Sequence, residues 1–438
     1  MHIVLLSGGS GKRLWPLSNE VRSKQFIKIF RRPGAEADDP DAYESMVQRV
    51  YRQILSVDPE ADVTVATSRT QVSAIRSQLG DVGISVEPCR RDTFPAIALA
   101  TAYLHNVKGL AAEEAVAVCP VDPYVDAAYF DCVRQLCEAA REGSHRLVLM
   151  GIQPDYPSEK YGYIKPDGAG GYTFTEKPTR EKAEEYIAAG ALWNGGVFAY
   201  RLSYVLEKAK ALLGTADYTA LFEHYAELKK ISFDYAVVEQ ETDLRVLRYT
   251  GTWKDIGSWN TFTEAMEDAV VGRGMLGADC ERVHIVNNLK VPILAMGLKD
   301  SVIAAGPDGI LVSTLDAADG IKPFVDKLDQ PIMYAEKSWG RYRVLDVQES
   351  SVTALLTLDP GRRMSYHSHE HRDEVWTVLR GTATAVVDGS EREVRPGDVI
   401  TLKAGCRHTL IAGEDGAELI EVQLGENISP ADKQKHTR

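Results

Sequence analysis

The chain begins Met1-His2-Ile3-Val4-Leu5-Leu6-Ser7-Gly8-Gly9-Ser10-Gly11-Lys12-Arg13. Residues 3–6 form an apolar run with the length of one buried strand. The glycines that follow end the strand and open a turn. Gly8, Gly9 and Gly11 let the backbone come close to an anion, so that successive N–H groups can cradle phosphate oxygens. Lys12 and Arg13 add positive charge at the same place. The spacing is neither that of the P-loop nor G-x-G-x-x-G. Alone, the glycines read equally well as a plain strand-to-helix turn.

From this strand outward, short apolar runs alternate with helical patterns to about residue 265. Strands are expected at 3–6, 63–66, 116–119 and 147–151, and helices at 43–54, 95–105 and 129–141. Apolar strands separated by helices predict a mostly parallel sheet covered on both faces, with ligands beyond the C-terminal strand ends. Residues 31–41 read as a surface loop and 327–330 as a linker. Between 280 and 328 the runs 283–286, 293–296, 301–305 and 310–313 predict short strands resembling a β-solenoid, too few to establish a repeat. From 334 onward, strands are expected at 342–347, 352–358, 374–380, 382–387 and 399–402, with turn residues between them. That pattern predicts an all-β sandwich or barrel.

The 438 residues carry 50 Lys+Arg against 63 Asp+Glu, a net charge of −13, which argues against nucleic-acid binding by bulk charge. The composition, 44% hydrophobic and 26% charged, is that of a globular chain with a large core and excludes a disordered one. No run approaches the ~20 apolar residues of a membrane span. The N-terminal run lacks the basic leader of a signal peptide. Six scattered cysteines without a C-x-x-C pair fit reduced thiols, so a cytoplasmic location is expected.

The string continues Leu14-Trp15-Pro16-Leu17-Ser18, and Lys24-Gln25-Phe26 follows. With these residues it resembles the nucleoside-diphosphate-sugar pyrophosphorylases, and within them the mannose-1-phosphate guanylyltransferase branch. Further segments match in order. They are Glu87-Pro88-Cys89-Arg90-Arg91-Asp92-Thr93-Phe94-Pro95-Ala96, Pro120-Val121-Asp122, Tyr161-Gly162-Tyr163-Ile164, Phe174-Thr175-Glu176-Lys177-Pro178, Trp193-Asn194-Gly195-Gly196-Val197-Phe198 and Trp253-Lys254-Asp255-Ile256-Gly257-Ser258-Trp259. Singly, each has a plainer reading: a strand end, a solvated lysine, an Asn-Gly turn. The ordered set overrides those readings.

The resemblance implies nucleotidyl transfer from GTP to mannose 1-phosphate, with Mg²⁺ on Asp122 and Asp255. It implies that Arg13 and Lys24 bind the triphosphate and Lys177 the sugar phosphate. It places the nucleotide at Gly8, Gly9, Gly11, Lys12 and Arg91, and the sugar at Gly162, Glu176 and Asn194. The residue types suit the chemistry, because two anions are joined by positioning and electrostatics without a protein nucleophile. Three positions depart from the family pattern: Asp92 for Asn, Pro123 for His and Lys160 for Gly. A carboxylate at Asp92 would repel a triphosphate unless paired, with Arg91 as the expected partner. The departures bear on which sugar and base are used. Other sugar 1-phosphates or nucleotides remain alternatives.

Near the C-terminus, His367-x-His369-x4-Glu374 is followed by His408. On a strand, His367 and His369 face the same side, where Glu374 and His408 can join them from neighbouring strands. Three imidazoles and a carboxylate suit Zn²⁺, Fe²⁺, Mn²⁺, Co²⁺ or Ni²⁺. The spacing resembles the cupin metal motif, and 369–376 resembles type II phosphomannose isomerase. The isomerase pattern is broken at His367, Val375 and Thr409, where Gln, His and Arg are usual. Arg362, Arg363, Arg372 and Arg407 are the candidates to replace that arginine. Isomerisation of mannose 6-phosphate by the cupin, or a cupin that only senses sugar or metal, are the alternatives.

The expected architecture is α/β: a Rossmann-like nucleotidyltransferase domain over 1–265, a short β connector over 280–328 and an all-β cupin barrel over 334–438. The expected cofactors are Mg²⁺ and a divalent transition metal. The expected partners are GTP and a sugar 1-phosphate, with neither nucleic acid nor membrane, and a homodimer is one assembly this reading allows.

Overall fold

The computed structural model describes every residue except Ser10, Glu20, Ala37, Asp38, Pro40, Ala169, Asp329, Gln330, Asn427 and Arg438. Ser10 of the glycine turn, part of the 31–41 loop and the end of the 327–330 linker thus lie outside the described residues. The chain folds as two compact units, one of Met1–Ser10, Gln25–Val72 and Asp81–Glu267, the other of Gly11–Lys24, Ser73–Gly80 and Asp268–Arg438.

In the first unit the strand His2–Ser7 lies between Asp62–Ser68 and Ala115–Pro120 and runs parallel to both. Gly83–Glu87 continues the parallel half. The other half is mixed, which corrects the expectation of a mostly parallel sheet. Leu192–Arg201 runs antiparallel to Ala115–Pro120, Leu147–Ile152 and Gly162–Pro166. Its register shifts between Asn194 and Phe198, where Gly196 has φ +68°. Such a bulge re-aims nearby side chains, and here it turns Asn194. The core of this sheet is built from Val4, Val116, Val118, Leu149, Phe198 and Tyr200, all buried.

Local capping sets the helix starts. The helix expected over 43–54 is observed as Met46–Val57. Tyr43–Glu44 is instead a short strand paired with Phe30–Arg31. Ser45 then closes a capping box with Gln48, which satisfies two N–H groups at the helix start.

The second unit contains the β coil and the all-β region. Val270–Gly272, Glu281–Asn287 and Lys299–Gly306 pair in parallel rungs, and Gly309–Thr314 adds an antiparallel edge. The 11–24 segment packs on this coil. A Cβ at Gly309 would lie 2.4 Å from the Trp15 ring, and one at Gly306 would lie 3.0 Å from Leu17. Asn19 Nδ2 donates to Asp308 Oδ2 at 2.7 Å.

Beyond the coil, nine strands form one antiparallel sheet. Asp373–Val387 is a single long strand where two were expected, and His408–Leu424 was not foreseen. The expected all-β C-terminal region is observed; its main pairing path runs from Tyr334–Lys337 to Lys433–Lys435, and no closed ring is traced among the described residues. Trp376, Leu356, Leu410 and Leu419 anchor its core.

All six cysteines are free. Burial pushes the Cys132 thiol up to about 11 and Cys137 up to about 12, so neither is a ready nucleophile. Among the described residues, no helix is long and apolar enough to cross a membrane.

Candidate functional site

The parallel register decides what meets at the sheet edge of the first unit. Leu6 pairs with Pro120, and Val121 N donates to Leu6 O at 3.3 Å. The glycines after one strand and Asp122 after the other therefore emerge side by side. The Gly9 carbonyl accepts from Arg90 at 3.0 Å and from Gln71 at 3.4 Å, which fixes the turn. Pro123–Val125 then pairs antiparallel with Trp253–Asp255, with Asp255 opposite Pro123. Asp122 and Asp255 are thereby neighbours although far apart in sequence. Pro123, the departure from His, is the first residue of its strand, where a missing N–H does least harm.

A small cleft is lined by Gly162, Tyr163, Phe174, Glu176, Asn194 and Asp234 among others. A Cβ on Gly162 would lie 2.5 Å from Glu176 Oε2, so a methyl group there displaces the movable end of the Glu176 side chain. Asn194 Nδ2 donates to Asp234 Oδ1 at 2.6 Å, and Asn194 Oδ1 accepts from Gly196 N at 3.1 Å. Burial raises the Asp234 carboxyl above its ordinary range, with the Glu176 and Asp92 charges adding to it. Gly162, Glu176 and Asn194 thus come together as expected, and Asp234 joins them unforeseen. Only its four-residue helix, Phe233–Ala236, brings it there.

Lys177 adopts φ +45°, Lys177 N donates to Tyr161 O at 3.2 Å, and its exposed ammonium lies 3.4 Å from Glu176 Oε1. Tyr161 stacks edge-on against Trp193 and Trp253 at 4.9 and 5.2 Å between centroids. The indole N–H groups of both tryptophans are buried without a hydrogen-bond partner among the described residues.

Arg91 donates to the Ala226 carbonyl. It does not pair with Asp92, which corrects that expectation. Asp92 instead caps the helix Thr93–Ala102, accepting from Thr93 N at 2.9 Å, at φ +70°. Its charge is met by the positive helix start. Lys160 is exposed.

Gly11, Lys12, Arg13 and Lys24 belong to the second unit. There Lys12 Nζ pairs with Asp326 Oδ1 at 3.0 Å, Arg13 is exposed and Lys24 is half-buried.

The C-terminal cluster assembles fully. Ring nitrogens of His367, His369 and His408 all lie within 4.8 Å of one another. His367 pairs with His408 across two strands. The Nδ1 of His367 meets the Ser365 carbonyl at 2.6 Å, and that of His408 meets the Cys406 carbonyl at 3.0 Å. A carbonyl only accepts, so both Nδ1 atoms carry a proton and Nε2 is the ring nitrogen left to each as a metal ligand. Glu374 lies 3.1 Å from His369 Nε2 and 3.3 Å from His408 Nε2. These neighbours hold its carboxyl well below the usual range, against the opposing effect of burial. Burial in turn pushes the His367 imidazole far down, keeping it neutral. His369 Nδ1 and His408 Nε2 are buried without a hydrogen-bond partner among the described residues. Three converging imidazoles with the Glu374 carboxylate beside them fit a transition metal.

Sequence reasoning missed the polar surroundings. Arg372 donates to Glu374 at 3.2 Å and to the Ser429 carbonyl at 3.0 Å. Trp376 Nε1 reaches both Glu374 and Glu421, and Gln423 holds Glu421 at 2.6 Å. The signal was there: Glu421 and Gln423 alternate with Ile420, Val422 and Leu424 at the end of their strand. Thr409 is fully buried and donates to the Met364 carbonyl at 2.8 Å, a purely structural bond.

Residues 2–270 match the family described as nucleotidyl transferase. The chain belongs to the nucleotidyl transferase family. Residues 328–436 of this nucleotidyl transferase match the family described as mannose-6-phosphate isomerase C-terminal. The chain is 30% identical to the xanthan biosynthesis protein XanB of Xanthomonas campestris pv. campestris (strain B100), over 98% of this chain and 96% of that protein. It is 29% identical to a mannose-1-phosphate guanylyltransferase of Klebsiella pneumoniae, over 98% and 97% of the two chains. A solved structure from Thermus thermophilus, described as a mannose-1-phosphate geranyltransferase, is 30% identical to this nucleotidyl transferase. It superimposes with a TM-score of 0.61 over 75% of this chain and 99% of its own.

Proposed function

We propose that this nucleotidyl transferase joins GTP and mannose 1-phosphate into GDP-mannose and releases pyrophosphate. A phosphate oxygen of the sugar phosphate attacks the α-phosphorus of GTP. The new P–O bond forms as the α–β phosphoanhydride breaks, and its electron pair leaves with pyrophosphate. The observation that carries the reading is the pairing of Asp255 with Pro123, which makes Asp122 and Asp255 neighbours. Their hard oxygen donors suit Mg²⁺, which supplies charge neutralisation to the triphosphate when bound. Gly162, Glu176 and Asn194 orient the sugar hydroxyls, and Lys177 holds the sugar phosphate. Gly8, Gly9, Gly11, Lys12 and Arg91 contact the nucleotide, and Arg13 and Lys24 steady the leaving pyrophosphate, roles that rest on the sequence motif. The test is pyrophosphate release with Mg²⁺ from GTP, ATP, UTP, CTP and dTTP, each offered with mannose 1-phosphate or glucose 1-phosphate. A dominant GTP–mannose 1-phosphate signal is expected. A dominant signal from another pair would overturn the substrate assignment and keep the chemistry.

The second site supports a second reading, a metal-dependent interconversion of mannose 6-phosphate and fructose 6-phosphate. His367, His369, Glu374 and His408 would hold the metal, drawn from Zn²⁺, Fe²⁺, Mn²⁺, Co²⁺ and Ni²⁺. The match over residues 328–436 favours it. A coupled isomerase assay on the metal-loaded chain tests it, and no turnover with any of these metals would sink it.

A further inference from the structure

The strand Lys433–Lys435 lies against the metal-binding strand, with His369 opposite Lys433 and His367 opposite Lys435. Directly paired residues share a sheet face. His367 and His369 face the interior at 2% exposure each, so Lys433 and Lys435 stand on that same face. The alternate residues confirm the parity. Ser368 bonds His436 Nε2 at 2.8 Å, and Gln434 bonds Glu370 at 2.6 Å, on the other side. Lys337 ends the strand Tyr334–Lys337 within electrostatic reach of Lys433 and Lys435.

Among the described residues, neither the Lys433 nor the Lys337 ammonium forms a hydrogen bond or ion pair, although both side chains are half-buried. The acidic groups facing them are engaged elsewhere: Glu374 with Arg372, His369, His408 and Trp376, and Glu421 with Trp376 and Gln423. Half-buried cations with no direct ion pair repel one another, and a bound anion lowers that cost. The arginines do not supply this charge. Arg362, Arg363 and Arg407 are exposed, and Arg372 is spent on Glu374, His369 and the Ser429 carbonyl.

We propose that Lys433 and Lys337 form a phosphate-binding subsite beside the His367, His369 and His408 centre, so that this centre takes phosphomonoesters of sugars or polyols. The proposal rests on reading the triad as a sugar-phosphate centre. It assigns the phosphate to the C-terminal strand in place of the arginine that Thr409 replaces.

The test is lysine acetylation read residue by residue by mass spectrometry on the metal-loaded full chain. Inorganic phosphate and mannose 6-phosphate should each slow acetylation of Lys433 and Lys337 by about fivefold or more, because a charge-assisted contact occupies the amine. Mannose should not, and exposed Lys182 serves as the internal control. In Lys433→Met, protection of Lys337 by mannose 6-phosphate should need about tenfold more ligand, with metal content by atomic emission unchanged. Lys433→Arg should restore it. Equal rates with and without phosphate, in a chain that holds its metal, overturn the subsite and leave the metal centre standing. A wild-type chain that binds no metal overturns the metal reading instead, and protection by inorganic phosphate still decides the subsite.

Discussion

Asp92 illustrates how a residue acquires its role from its neighbours. Read in sequence, it is a carboxylate that threatens a triphosphate. In the fold it caps a buried helix at φ +70°. Asp255 works the other way, as an ordinary strand-end carboxylate that the ladder sets beside Asp122. Asp255→Asn keeps the shape and removes the charge, so nucleotidyl transfer should fall about a hundredfold or more at saturating Mg²⁺. Circular dichroism and the melting curve should not change. Gly162→Ala tests the cleft proposed for the sugar. The new methyl would meet the movable end of Glu176 at 2.5 Å. The fold should survive while KM for the sugar 1-phosphate rises about tenfold, the cost of one displaced charged hydrogen bond.

At the scale of elements, bends and bulges do the positioning. In the strand His408–Leu424, interior positions are even-numbered before the bend and odd-numbered after it. This puts His408 at one polar end and Glu421 and Gln423 at the other, with Leu410 and Leu419 between. The bend requires Gly381 and Gly416 at φ +71° and +75°. A Cβ at Gly381 would lie 2.0 Å from the Gly416 carbonyl oxygen. Gly381→Ala should therefore destabilise the C-terminal sheet by about 2 kcal/mol or more in urea unfolding. Glu421 gives that sheet a pH signature. Burial raises its carboxyl to about 7, with the Glu374 charge adding to it. The unfolded chain releases that proton near ~4.3. Between those values the native state holds a proton the unfolded state has lost, so stability falls as pH rises. Glu421→Gln removes the slope. In chelator-treated protein its Tm should gain on wild type from about pH 5 to about pH 8.

Over the whole molecule, the two candidate sites share no residue. His367→Ala with His408→Ala should abolish transition-metal retention and leave nucleotidyl transfer within about twofold, since no residue of that triad belongs to the N-terminal reading. Metal analysis and pyrophosphate release on the same sample check both halves. A joint loss would mean that the C-terminal centre supports the N-terminal one.

Patterning and local chemistry were legible from the sequence alone. The alternation of apolar runs with helices fixed the α/β half, and the punctuated short strands fixed the all-β half, because periodicity records burial. The His367, His369, Glu374 and His408 cluster was legible because strand alternation is a local rule. What depends on pairing between distant segments was not. The antiparallel run of Leu192–Arg201, Asp234 beside Asn194, the docking of Trp15 on the coil at Gly309, and Lys433 beside His369 all arise from long-range register. Register is set by which ladders close and which side chains then fit, a property of the folded chain that no single stretch carries.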